Sequence, residues 1–183
     1  MRDISLHILD IAENSIRAGS TLISISMAVD KANDDLVIMI DDNGSGMSKE
    51  MLEHVKSPFT TSRTTRKVGL GIPLLTASCE ASGGHLDIAS EPGKGTKLTA
   101  HLGYSHIDRP PLGDIAETLA TLTIMNPSID FAFSANSVEV FEYDTRQIKA
   151  TLGEVPVTHP DVMAFIREYL QEGIQQVFGG NEI

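Results

Sequence analysis

Apolar residues recur along the chain at two different periods, and the change of period marks out most of the elements. Ile4, Leu6, Ile8, Leu9, Ile11, Ala12 and Ile16 recur at helical spacing, with Gly19 as a stop, which predicts a helix over 3–18. Leu22-Ile23-Ser24-Ile25-Ser26-Met27 alternates as a half-buried strand does, and Leu36-Val37-Ile38-Met39-Ile40 reads as a fully buried one. Polar residues 30–35 form a turn between them, and Asp42-Asn43-Gly44-Ser45-Gly46 makes a loop. Ser48 is placed to cap a short helix over 49–54. Residues 56–68 are rich in Ser, Thr, Arg and Lys and read as an exposed, mobile segment. Gly69-Leu70-Gly71 opens a second helix that runs to Ala81, where Gly83-Gly84 ends it. Strands over 85–90 and 96–102 flank the turn Glu91-Pro92-Gly93-Lys94-Gly95. Arg109-Pro110-Pro111 interrupts the pattern and marks a boundary. Beyond it we expect a helix over 113–125, strands over 130–134 and 137–143, a helical turn over 146–152 and a last helix over 160–177.

Composition narrows the function classes. The chain has 183 residues and a formal net charge of −11, which repels nucleic acid and anionic membrane unless a local basic patch intervenes. Cys79 is the single cysteine, so no internal disulfide forms, which suits a reducing cytoplasm. The first ten residues lack the basic start and apolar run of a signal peptide, and no stretch is long and apolar enough to span a membrane.

Four short motifs supply chemistry in a fixed order. Asp10-Ile-Ala-Glu-Asn14 lies on a helix, Asp41-Asp42-Asn43-Gly44-Ser45-Gly46-Met47 follows a strand, Val68-Gly69-Leu70-Gly71-Ile72 opens a helix, and Gly93-Lys94-Gly95-Thr96 enters a strand. Asp10 and Asn14 are one turn apart and share a helix face. A carboxamide oxygen at Asn14 suits Mg²⁺, which takes hard oxygen ligands, and a carboxylate at Asp10 can orient or deprotonate a nucleophile. Asp42 can accept a hydrogen bond from an exocyclic amine, while Gly44 and Gly46 let backbone approach a planar base. Gly69, Leu70 and Gly71 offer bare N–H groups and the positive dipole end of a helix to phosphate. Arg63, Arg66 and Lys67 are cations placed to meet a triphosphate in an otherwise acidic protein.

Over about residues 3–103 this set resembles the GHKL ATPase superfamily, which includes gyrase, MutL, heat-shock chaperones and histidine kinases. Asp10 to Asn14 resembles its N box, Asp42 to Gly46 its DxGxG box, and Val68 to Ile72 its second glycine box. Pro58-Phe59-Thr60-Thr61 is similar to the histidine-kinase F box, and Gly83 to Thr96 looks like the end of a histidine-kinase catalytic domain. The resemblance implies an α+β fold, the Bergerat two-layer sandwich with helices on one face of a mixed sheet, over 1–104, with an ATP lid at 56–68. A small α+β extension over 109–183 would follow. It further implies that Asn14 ligates Mg²⁺, that Asp42 contacts adenine, that Thr96 supports the adenine pocket, and that Gly69 and Gly71 hold phosphate.

Three departures bear on the reaction. Asp10 stands where gyrase-like members carry Glu, Lys67 replaces a usual glycine, and, with the N-box helix at the start of the sequence, a domain bearing an acceptor histidine is not expected ahead of it. The reading that follows is a cytoplasmic, histidine-kinase-like signalling protein that passes the γ-phosphoryl of Mg-ATP to a separate protein, with a homodimer possible. An ATP-gated binding module with little turnover is the alternative, and a gyrase-type ATPase ranks third. His7 reads as structural, Cys79 as a small core residue, and Glu13 as a poorer base than Asp10 because it points about 100° away on the helix. The remaining histidines, His85 and His101 among them, have no metal-ligand spacing, so zinc is not expected.

Overall fold

The computed structural model describes residues 3–56 and 70–179. The first half of the chain runs α1 (Ile4–Arg17), β1 (Leu22–Asp30), β2 (Asp35–Asp42), α2 (Lys49–Lys56), α3 (Gly71–Ala81), β3 (His85–Glu91) and β4 (Gly95–Gly103). It continues through α4 (Ile115–Met125), β5 (Asp130–Asn136), β6 (Val140–Asp144), α5 (Thr145–Leu152) and α6 (Pro160–Phe178). The strands form one mixed sheet in the order β3-β4-β2-β1-β5-β6. Among the described residues only the β1–β5 pair is parallel, and Leu22 sits opposite Asp130 at its start. The fold class is α+β, a sheet layer covered by a helix layer.

The sheet has two unlike faces because side chains alternate along a strand. Ile23, Ile25 and Met27 of β1, Leu36, Ile38 and Ile40 of β2, Leu98, Ala100 and Leu102 of β4, and Phe131 and Phe133 of β5 turn to the helix layer and are buried. Ile4, Ile8, Ile11 and Ala12 of α1, Leu75 and Cys79 of α3, Leu119 of α4, and Ile166 and Leu170 of α6 meet them. Burial pushes the Cys79 thiol up to about 12, so it is an inert core residue. The strand expected to be buried on both sides is not: Val37 and Met39 are only half-buried, because none of the described helices covers the second face along β2.

Local chemistry sets the ends. Asp3 caps α1 by accepting from the Leu6 N–H, Asp114 caps α4 through the Glu117 N–H, and Asp144 caps α5 through the Arg146 N–H. The proline-rich stretch read as a boundary docks on the start of α1, where the Ile4 and Ser5 N–H groups donate to the carbonyls of Pro111 and Leu112. Residues 109–183 supply β5 and β6, so their strands continue the sheet begun by β1 to β4. None of the described helices is long and apolar enough to cross a membrane.

Candidate functional site

Asp42 ends β2 and sits at the base of a cavity on the helix side of the sheet. It is only 8% exposed, and a buried carboxylate must be given hydrogen bonds. Ser15 Oγ of α1 donates to Oδ2 at 2.7 Å, while Ser20 Oγ and the Gly44 N–H donate to Oδ1 at 3.1 and 2.8 Å. A carboxylate offers about four acceptor positions, so an unfilled one remains for a ligand. Ser15 and Ser20 escape a motif reading, because nothing in their local spacing announces that α1 and the turn after it converge on β2.

The loop after Asp42 is fastened at both sides. Asn43 Oδ1 accepts from the N–H groups of Thr21 and Leu22 at 2.9 and 3.0 Å. The Ser45 N–H donates to the Ala18 carbonyl at 2.9 Å, and the Met47 N–H donates to Ser90 Oγ at 2.8 Å. Ser90 in turn donates to the Gly95 carbonyl and lies 2.9 Å from Thr96 Oγ1. Gly46 has φ +63, and a Cβ there would fall 2.0 Å from the Glu91 carbonyl oxygen, so only glycine fits. Gly44 lies close against Ala18 and the Ser20 hydroxyl.

The cavity measures about 540 Å³. Ile11, Ile40, Met47, Met51, Val55, Ile72 and Leu98 give it apolar walls, and Asn14, Arg17, Asp42, Ser45 and Thr96 give it polar points. Flat apolar walls with one anchored carboxylate suit a purine whose amine is read by that carboxylate. Asn14 stands on the wall with its Oδ1 accepting from Arg17 Nη1 at 3.2 Å, and Arg17 also pairs with Glu13 at 2.5 Å. A carboxamide oxygen on the cavity wall fits Mg²⁺, which keeps water and phosphate oxygens in its other positions.

Of the residues expected to bind nucleotide, Asn14, Asp42, Gly46 and Thr96 line this cavity, while Gly44 packs on Ala18 and Ser20 beside it and is not among its lining residues. Leu70 and Gly71 begin α3, whose first turn has no side-chain cap and whose next residue, Ile72, lines the cavity. That helix start therefore stands at the cavity with its N–H groups uncapped by the side chain of Leu70. Asp10 is not among the lining residues. It packs on Gly71, where a Cβ would meet its Oδ2 at 2.7 Å. Arg63, Lys67 and Gly69, and most of the expected lid at 56–68, lie outside the described residues. His7 is buried between α1 and α3, with Nε2 3.1 Å from Ser78 Oγ.

Comparison with known proteins agrees with this geometry. Residues 2–106 match the model of the histidine kinase-, DNA gyrase B- and HSP90-like ATPase family. Sporulation kinase D of Bacillus subtilis is 35% identical over 102 residues, covering 54% of this chain and 19% of that protein. The non-motile and phage-resistance protein of Caulobacter vibrioides is 30% identical over 117 residues, covering 59% of this chain and 14% of its own. Sensor histidine kinase ZraS of Escherichia coli is 26% identical over 106 residues, covering 58% and 23%. The chain thus spans less than a quarter of the length of each of these relatives. Among solved structures, the N-terminal domain of a DNA repair protein superposes with a TM-score of 0.52 at 16% identity, over 98% of this chain and 58% of that one. The match covers more than half of the chain and contains α1, the Asp42 loop and β4, so the chain belongs to the histidine kinase-, DNA gyrase B- and HSP90-like ATPase family.

Proposed function

We propose that this protein binds Mg-ATP and passes its γ-phosphoryl to a separate partner protein in signalling. The observation that carries the reading is the Asp42 carboxylate, held by three donors at the base of an apolar cavity with Asn14 on its wall. Asp42 accepts the adenine amine, and Ile40, Met47 and Leu98 exclude water from the base. Asn14 would hold Mg²⁺ through its carboxamide oxygen, the atom that accepts from Arg17 Nη1 here. When bound, the ion neutralises phosphate charge and orients the terminal phosphoryl group. The first turn of α3 supplies N–H groups to the phosphates. Arg63, Lys67 and Gly69 are proposed to complete the phosphate contacts. The names of the relatives, a sporulation kinase and a sensor histidine kinase, support transfer to protein.

A fluorescent ADP analogue titrated with and without Mg²⁺ tests the site, and γ-labelled ATP mixed with candidate acceptor proteins tests the reaction. Label accumulating on a partner supports transfer. Free phosphate released at the same rate with and without partner would argue for hydrolysis instead. The second reading, an ATP-gated binding module with little turnover, is favoured by one observation: Asp10 packs on Gly71 and does not line the cavity. Partner affinity that changes with ATP while neither label nor phosphate moves would select it.

A further inference from the structure

The sheet face turned away from the helices carries a second cluster of ligating side chains. His85 of β3 and His101 of β4 are directly opposed in the antiparallel register, and Asp87 follows two residues along β3 on the same face. The two imidazoles stack with centroids 4.5 Å apart and planes 6° from parallel. His85 Nε2 lies 3.2 Å from the Asp87 carboxylate. One ligand atom from each of the three residues falls within 4.8 Å of the others. Asp35, across on β2, completes the arrangement: its Oδ2 lies 2.8 Å from His101 Nδ1.

We propose that His85, Asp87 and His101 form a binding site for a divalent transition cation of the zinc class, with Asp35 as a positioning residue for His101. Two imidazoles and a carboxylate are a donor set that zinc accepts and that magnesium, which prefers oxygen alone, does not. Metal–ligand distances of roughly 2 Å require donor atoms to close from their present spacing. Side-chain torsions supply that movement, since His85 and Asp87 are 63% and 72% exposed in their side chains. In the proposed site Nδ1–H of His101 donates to the Asp35 carboxylate and Nε2 is the ligating atom, the arrangement that orients metal-bound histidines generally. Three protein ligands leave a fourth position for water or for a donor atom from a partner. The site is separate from the nucleotide cavity, because none of its residues lines that cavity. Sequence spacing hides it: only the β3–β4 register brings His85 to His101.

The test uses the untagged full chain without nucleotide. Zn²⁺ is titrated against a chromophoric chelator, and Co²⁺ is used as a spectroscopic probe. One equivalent of Zn²⁺ should compete with the chelator, and Co²⁺ should give the intense visible bands of a low-coordinate site. His85→Ala and His101→Ala should each weaken Zn²⁺ at least tenfold and change the Co²⁺ spectrum. Asp35→Ala should weaken Zn²⁺ about tenfold and leave the Co²⁺ band pattern in place, since the ligands are unchanged. All three should bind the fluorescent ADP analogue as the parent does, which separates this site from the nucleotide site. The proposal is overturned if the parent chain fails to compete for Zn²⁺, or if His85→Ala, a change at an exposed strand position, binds Zn²⁺ as tightly as the parent.

Discussion

At the scale of single residues, Asp42 concentrates the consequences. Ser15, Ser20 and the Gly44 N–H all donate to its carboxylate. Asp42→Asn turns an NH₂ group toward one of these donors, leaving it unsatisfied at a cost of about 1–3 kcal/mol. We expect nucleotide affinity to fall at least tenfold, about 1.4 kcal/mol, with the far-UV circular dichroism unchanged. Unaltered affinity in the fluorescent ADP titration would remove Asp42 from the site. His7 sets a separate prediction. Burial holds its imidazole below its ordinary value of 6.5, and its Nδ1 is buried without a hydrogen-bond partner among the described residues. The unfolded chain therefore binds the proton more readily than the folded one, so stability is fully present above the unfolded value and declines as pH falls through 6.5. Urea unfolding between pH 7.5 and 5.5 should show that decline, and His7→Gln should make it shallower. The place of Asp42 at the end of β2 was legible because its motif is local. Its serine partners were not, because they arrive from another element.

Among elements, the helices were the most legible, since a stripe of apolar residues at helical spacing must face a core. The strand ends were less so. The strand expected from 137 begins at Val140, because Ser137 to Glu139 close a turn with the Ser137 N–H on the Glu139 carbonyl. The docking of α6 on β6 was not written in either element. Gly173 of α6 sits directly on the Phe141 ring, 2.1 Å from where a Cβ would stand. Phe141 cannot easily give way, because its ring is packed between Phe133 and Tyr169. On an isolated helix Gly→Ala stabilises by about 1 kcal/mol. Here overpacking of about 1–3 kcal/mol opposes it. Gly173→Ala should therefore lower the urea midpoint, and an increase would show that α6 can slide off β6 without loss.

For the whole molecule, the shared sheet has a thermodynamic consequence. β5 pairs with β1 along its length, and α4 packs against both α1 and α6. Residues 109–183 and the nucleotide-binding part should therefore unfold in one transition, followed by calorimetry and near-UV circular dichroism together. Two resolved transitions would show two independent units. Saturating Mg-ATP should raise stability by RT ln(1 + [L]/Kd), about 2.7 kcal/mol at a hundredfold excess over Kd. A protein that binds ATP equally well folded and unfolded would show no such rise. The sequence by itself determined the element types and the motifs of the candidate nucleotide site, because hydrophobic period, caps and glycine motifs act over a few neighbouring residues. The tertiary structure alone decided the strand order, the parallel seat of β5 beside β1, the serines beneath Asp42, the packing of Asp10 on Gly71 and the meeting of His85 with His101. Each depends on which distant segments pair and in what register, and no local window of sequence records that.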